Sequence, residues 1–314
     1  MVVASFNISQ SNRVPYVTQK EVLQSAIANN VDFSNLIENG DDDQQAAALQ
    51  EMIVRASTKV DTTCFGYAGT LCAEVSTENG RWYSDRYGEL IVHPEYWPIL
   101  EVRTFAAGYG PGSAMQEIPL TNNNCSIERS QFIITSQSAN SSVMGVSLTS
   151  VIGGIGGFNN RQFCEYTYVN GFANSFLAED ASADDTSIVV TPAPGYSTPV
   201  GFYPKLGGVT IWDGANDEGI VVGSGYDGSS VTIPLQNPLQ FDHVAGTNVS
   251  AIPATIKSAV IHFIVDECNE RGQVGISLGA MGAVTPNASG GSYQNHEAKA
   301  YDLLDEFKSF WGRS

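Results

Sequence analysis

The chain has 314 residues, 42% of them hydrophobic, which is enough to bury one large core or two smaller ones. Its 15 Lys and Arg residues against 33 Asp and Glu residues give a net charge of −18, although only 15% of all residues are charged. Such a composition disfavours tight nucleic-acid binding, which needs clustered cations, and no segment approaches the roughly 20 apolar residues of a membrane span.

Two helices are predicted near the start of the chain. Thr18 and Glu21 have the spacing of a capping box ahead of apolar residues at helical intervals, which predicts a helix from about 18 to 29. The acidic run 41–43 places negative charge where a helix dipole favours it, and a second apolar periodicity then predicts a helix from 42 to 60. We interpret this run as an N-cap and first turn rather than a metal site, because no alternating oxygen ligands surround it.

From 64 to 172 the pattern changes to short strands and turns. Trp97 and Pro98 end a polar, aromatic stretch and are followed by the apolar residues Ile99 and Leu100. Between 136 and 162 lie about 27 residues whose only charge is a terminal Arg. A loop of that length inside a compact domain is usually functional or disordered.

The segment 173–252 has the pattern of an insertion. If it were removed, the strand that ends at Phe172 would run through a tight turn into a helix that Pro253 starts. Turn signals at Asp213-Gly214 and Asp227-Gly228 separate its short β-branched runs, which predicts a small all-β domain. Insertions that preserve a host fold join adjacent points on its surface, so we expect the two ends of the segment to lie close together. The predicted strands are 186–190, 209–212, 219–222 and 231–235.

Two further helices are predicted after the insertion, over 253–271 and 295–311. Each carries one apolar stripe, and these stripes need a packing partner. The connection between them, 272–294, has no charged residue and is rich in Gly, Ser and Ala, so we expect it to be mobile.

The cysteines argue against both a disulfide framework and a zinc site, because they are odd in number, widely spaced and free of C-x-x-C. The N-terminal residues show no basic region followed by an apolar stretch. We therefore expect a protein made without export, with reduced and mostly buried thiols. The five cysteines are Cys64, Cys72, Cys125, Cys164 and Cys268.

The sequence predicts no catalytic residue and no cofactor. Residues 275–279 match G-x-S-x-G, but a helix precedes Ser277 and glycine-rich coil follows it, the opposite of the context that a nucleophile elbow needs. His296 is the only histidine downstream and is expected at a helix start instead. The glycines at 153, 154, 156 and 157 lack the spacing of a phosphate-binding loop.

No metal site is predicted either. Asp213, Asp217 and Glu218 could offer oxygen ligands to calcium, but the alternating ligand order is missing, and a hairpin turn with solvated acids is favoured. The four histidines show no paired ligand spacing, and His262 is expected at the edge of a core. These histidines are His93, His243, His262 and His296.

Taken together, these segments resemble the tailed-phage head-to-tail adaptor (connector) family. The resemblance covers 16–172 and 252–311, and it rests on the two initial helices, the segments 80–109 and 125–135, and the junction between strand and helix across the insertion. It implies a β-strand after the step Trp97-Pro98 and a strand pair over 125–135. The insertion itself resembles a β-module of phage structural proteins, including an H-x-x-G-T ending at 243–247 that implies no chemistry.

The resemblance implies an α+β fold: a helical-bundle adaptor core with short β-strands, made of 1–172 and 253–314, plus the inserted all-β domain 173–252. It implies a structural virion protein of the neck, assembled in the host cytoplasm, and not an enzyme. Twelve subunits would form a ring between the portal protein and the next tail-side neck or tail protein. Double-stranded DNA would pass through without specific binding, and no membrane partner is expected.

The chain departs from the family after Trp311, because many adaptors have a C-terminal extension that docks on the portal. The predicted portal contact is therefore the segment 272–294, with 136–162 as the alternative.

Two other functions remain open. A receptor-binding or capsid-decorating β-rich virion protein is supported by the Gly-, Asn- and Ser-rich composition and by the insertion, and a serine hydrolase is supported only by Ser277.

Overall fold

The structure is a computed structural model. It describes residues 14–29, 31–65, 70–83, 89–108, 115–121, 124–128, 130–135, 161–192, 203–228, 230–270 and 295–308. Several sequence predictions fall outside these residues: the glycine-rich run 153–157, Ser277, Trp311, the connection 272–294 and all but the last two residues of 136–162.

The helices are capped by their own sequence. The Thr18 hydroxyl accepts the Glu21 amide and the Glu21 carboxylate accepts the Thr18 amide, so the capping box is formed. The Asp41 carboxylate accepts the Gln44 amide at 2.8 Å, which makes the acidic run the start of the second helix. No described helix is long and apolar enough to cross a membrane. The α-helices are α1 Gln19–Gln24, α2 Asp42–Phe65, α3 Ala254–Glu270 and α4 His296–Leu304.

Thirteen strands form four sheets in the described parts of the chain. The sheet orders are β1-β7-β3-β4, β11-β10-β13-β8, β2-β6-β5 and β12-β9, and every ladder is antiparallel. The strands are β1 Glu74–Tyr83, β2 Glu89–Val92, β3 Ile99–Gly108, β4 Met115–Glu117, β5 Cys125–Ile127, β6 Phe132–Thr135, β7 Arg161–Asn170, β8 Asn174–Phe176, β9 Ser187–Val189, β10 Gly208–Trp212, β11 Glu218–Val221, β12 Thr232–Pro234 and β13 Asn248–Ser250.

The predicted helical-bundle core is wrong, because the described chain is mostly β. Helix α1 has only six residues and α4 nine, whereas β1, β3 and β7 have ten each. The helices stood out in the sequence because helical periodicity is conspicuous, while a strand covered on both faces shows no alternation. Strand β7 illustrates this, since its last three residues, Tyr168, Val169 and Asn170, are all buried.

The buried side chains of the described residues form three clusters. The helical core joins all four helices, with Val22 from α1 and Leu304 from α4 fully buried. The sheet core lies beneath β2, β3, β6 and β7. The third cluster, the insert core, consists mainly of residues within 173–252. It also includes Ala73 and Val169, so it is continuous with the neighbouring sheet.

The two ends of the predicted insertion lie side by side. The Ala251 amide donates to the Ala173 carbonyl at 2.8 Å, and β8 pairs with β13 with Asn174 opposite Ser250. This is the geometry expected of a segment that joins neighbouring points of a host. The division of the chain into a host and an inserted domain stays a prediction.

Candidate functional site

A group of charged and polar side chains lies where the segment 173–252 meets α1 and α3. Six of its eight members are buried, while the Glu21 side chain is 10% exposed and the Lys20 side chain 49%. We call this group the seam. Its members come from parts of the chain more than 190 positions apart, and it has two branches that start from adjacent residues of α1. The seam consists of Lys20, Glu21, Asn174, Asp213, Glu218, His243, Asn248 and Lys257.

The first branch centres on Lys257 of α3, of which only 4% is exposed. Its ammonium group donates to Glu21 at 2.6 Å and to the Asn248 side chain at 2.8 Å, and it lies 4.6 Å from the centre of the Trp212 ring. Burial lowers the pKa of Lys257, while the Glu21 carboxylate acts in the opposite direction. The ion pair and the ring offset part of the cost of removing this charge from water.

Two asparagines extend this branch into the sheet of the insertion. The Asn248 amide group donates to the Asn174 side chain at 2.9 Å and to the Ser175 carbonyl at 3.0 Å. Asn174 in turn donates to the Pro15 carbonyl at 3.1 Å. One chain of hydrogen bonds thereby connects four parts of the protein: the residues before α1, strand β8, strand β13 and helix α3. Such a network favours a single relative position of these elements.

The second branch runs from Lys20 to a buried histidine. Lys20 donates to one carboxylate oxygen of Asp213, and the other oxygen lies 3.5 Å from Nδ1 of His243. Nε2 of His243 lies 3.2 Å from Glu218, whose carboxylate also accepts the main-chain amides of Gln240 and Phe241. The histidine therefore has a carboxylate near each ring nitrogen.

The surroundings of His243 are not those of a general base that activates a nucleophile. The side chain of His243 is fully buried, and its neighbours at the two ring nitrogens are carboxylates rather than a hydroxyl or thiol that it could activate. A substrate would have no access to it. Among the described residues, no group of three or more His, Cys, Asp or Glu side chains is placed to hold a metal ion.

The three acids considered as calcium ligands have separate roles. Asp213 pairs with Lys20 and Glu218 lies beside His243, as given above. Asp217 accepts the Gly214 amide at 2.7 Å and closes the turn between β10 and β11. Gly214 has a φ of +82° there, which glycine adopts without strain, as expected of an Asp-Gly hairpin signal.

A second polar contact joins α3 to α4. Nδ1 of His262 lies 2.8 Å from Nδ1 of His296, so one ring must donate and the other accept. His262 is 3% exposed, and burial together with His296 and Lys299 lowers its pKa to about 4. Burial also lowers the pKa of His296, with Asp266 acting in the opposite direction. Sequence reasoning placed His262 at a core edge and His296 at a helix start, but not in contact.

The cysteines form no disulfide with one another. Cys64, Cys164 and Cys268 are buried, and Cys72 and Cys125 are partly buried. Burial raises the pKa of Cys64, Cys72 and Cys164 to about 12, so these thiols are poor nucleophiles at neutral pH.

Sequence reasoning missed the seam. The sequence contained one signal for the seam, which was Lys257. This cation lies next to Ile256 in a helix whose residues 259–265 are all buried. Charged residues are almost never fully buried unless they are paired, so a partner was to be expected. Its identity, Glu21, could not be found from local sequence, because the two residues are 236 positions apart.

Comparison with known proteins adds no assignment: no protein family, no curated protein and no solved structure matches this chain.

Proposed function

We propose that the protein is a structural component of a tailed-phage virion that forms an adaptor ring between the portal protein and the tail. The proposal starts from the resemblance of the segments 16–172 and 252–311 to adaptor proteins. In this role the ring completes the head and surrounds the passage for double-stranded DNA, and the acidic chain lets DNA pass without adhering to it.

One structural observation carries the proposal: buried charged side chains connect parts of the protein to each other. Asp213 of the insertion pairs with Lys20 of α1, and Lys257 of α3 pairs with Glu21 of α1 and donates a hydrogen bond to Asn248 of the insertion. Asp61 accepts the Tyr16 hydroxyl and the Leu71 amide. An enzyme would direct such groups toward a substrate cleft, where their perturbed protonation serves catalysis. Buried polar groups that hydrogen-bond mainly to each other suit a rigid building block, although Nδ1 of His243 has no hydrogen-bond partner among the described residues.

The β-rich fold supports the alternative function, a receptor-binding or capsid-decorating protein. Four sheets and thirteen strands in the described residues bring the chain nearer to β-rich binding proteins than a helical bundle would be. The helical core, which includes buried residues of all four helices, favours the adaptor.

The decisive experiment is the mass and shape of the native assembly. Native mass spectrometry and electron microscopy of the full chain, alone and mixed with the portal protein of the same phage, should show a closed ring, with twelve copies expected. A trimer with an elongated shape would support the receptor-binding or decorating alternative.

A parallel assay addresses the hydrolase alternative. Ester hydrolysis and labelling by a fluorophosphonate probe should both be at background level in the wild type and in Ser277→Ala. Activity that disappears in Ser277→Ala would refute the structural assignment.

A further inference from the structure

His243 lies between two carboxylates, and each of them is close to one of its ring nitrogens. Nε2 is 3.2 Å from Glu218 and Nδ1 is 3.5 Å from Asp213, while the His243 side chain is fully buried. A carboxylate only accepts hydrogen bonds, and a neutral imidazole has one N–H and one nitrogen with a lone pair. In either neutral tautomer the lone pair would therefore lie beside a negatively charged oxygen. Only a ring with a proton on both nitrogens presents positive charge to both carboxylates.

The other partners of the two carboxylates favour the ring as the place for the proton. Asp213 accepts a hydrogen bond from the ammonium group of Lys20, and Glu218 accepts the main-chain amides of Gln240 at 2.8 Å and Phe241 at 3.3 Å. Donors of this kind stabilise the ionised form of a carboxylate. With a neutral ring, two buried anions would be balanced by one lysine alone. A protonated ring balances the group at two positive and two negative charges, which avoids the cost of an uncompensated buried charge.

The other charged side chains near the ring favour the same state. Asp242 precedes His243 in the chain, and Asp180 precedes the residue whose main chain pairs with that of His243. Both acids are exposed and accept main-chain amides, as does Asp217 in the turn before β11. The Lys257 cation belongs to the first branch of the seam, where a carboxylate is paired with it. The surrounding acids add negative charge, so they stabilise a positively charged ring.

We propose that His243 carries a proton on both ring nitrogens at neutral pH and acts as a proton-dependent latch inside the insertion. The charged ring attracts Asp213 after β10 and Glu218 at the start of β11, and it thereby holds the loop 240–246 against both. When alkaline pH removes one proton, a lone pair lies beside a carboxylate and the loop loosens. Because Lys20 of α1 pairs with the same Asp213, the latch also couples the loop to α1. The inference does not depend on the proposed adaptor role, since it concerns contacts within one chain.

The direct test is nitrogen NMR of the full chain labelled with ¹⁵N at histidine, in solution or on a sedimented sample. A ring protonated on both nitrogens gives two signals of the N–H type, whereas a neutral ring gives one N–H signal and one lone-pair signal at a much higher chemical shift. His243→Gln removes the ring and assigns its signals by their disappearance. We expect two N–H signals from His243 at pH 7, and a lone-pair signal only at alkaline pH. Lone-pair character of a His243 nitrogen at pH 7 would overturn the proposal.

Hydrogen exchange tests the latch itself. An opened loop releases the second ring proton near pH 6.5, as a free histidine does, so opening becomes easier as the pH rises. After correction for the intrinsic effect of pH on exchange, residues 213–218 and 240–246 should open about tenfold more at pH 9 than at pH 7. His93→Gln, which removes an exposed histidine, is the matched control and should follow the wild type, whereas His243→Gln should open equally at both pH values.

Two results of this exchange experiment would overturn the latch. One is equal opening of the wild type at pH 7 and pH 9, and the other is the same increase in His243→Gln as in the wild type. If His243→Gln does not fold, the NMR signals and the exchange of the wild type and His93→Gln decide.

Discussion

Acidification should weaken the attachment of α4 to α3 through the contact between His262 and His296. Their facing Nδ1 atoms share one proton at neutral pH, and a second proton would place two positive rings in contact. Lys299 adds a further positive charge nearby, and the N-terminal end of a helix, where His296 lies, disfavours a cation. Asp266 opposes these effects at His296.

The direction and the size of this change in stability follow from the pKa of His262. Because the folded state lowers this pKa from 6.5 to about 4, the unfolded chain takes up a proton first as the pH falls. Stability is complete above about pH 6.5, decreases from there to about pH 4, and changes no further through this group below that. The full shift corresponds to about 3 kcal/mol, and because His296 is only partly buried and water screens the pair, we expect a loss of about 1 to 2 kcal/mol.

The assay is urea unfolding of the wild type and His262→Asn at several pH values from 7 to 4. Asparagine keeps a hydrogen-bonding atom near the position of Nδ1 but cannot be protonated, so the variant should lose about 1 to 2 kcal/mol less than the wild type over this range. His93→Gln, which removes an exposed histidine, is the control and should follow the wild type. If the free energy of unfolding decreases with falling pH to the same extent in the wild type and in His262→Asn, the pH dependence comes from other groups. That result would refute the predicted effect of the contact between His262 and His296.

Three further predictions concern the cores, the seam and DNA. Phe263→Ala and Phe307→Ala should each lower the free energy of unfolding by about 3 to 5 kcal/mol in urea titrations, since both side chains are at most 4% exposed, whereas Leu23→Ala, at a 55% exposed position, should have little effect. Lys257→Ala removes the cation that pairs with the largely buried Glu21 carboxylate and should lower stability by about 2 to 4 kcal/mol, while a double variant with apolar residues at both positions should recover part of that loss. Fluorescence anisotropy should detect negligible binding to duplex DNA at physiological salt, and tight, salt-sensitive binding would contradict the DNA-passage proposal.

The positions of the helices could be predicted where local interactions determine them. The capping box at Thr18 and Glu21 and the acidic run before α2 act within one turn, so the sequence displays them directly. The length of α1 could not be predicted, because the helix gives way after Gln24 to a turn of 3₁₀-helix that the Ser25 hydroxyl caps. Tertiary packing selects between such alternatives.

The sheets were underestimated because their pairing is not local. Strand β1 joins β7 with Glu74 opposite Asn170, 96 positions away, and no sequence pattern specifies that partner. The predicted fold class was therefore wrong, although individual strands near 99 and 132 were expected. The same limit applies to the seam and to the two histidines on α3 and α4, since each contact depends on how distant elements pack.

Charge connects the seam to the proposed assembly. Lys20 and Lys257 each neutralise a carboxylate inside one subunit, so these two of the chain's 15 cations are not available to offset acids on a neighbouring subunit. Subunits of the proposed ring would therefore meet with an excess of negative charge, and contacts between them require surfaces where charge is already balanced. Salt screens the remaining repulsion, so assembly at neutral interfaces should persist or strengthen as ionic strength rises, the opposite of what ion-paired interfaces show.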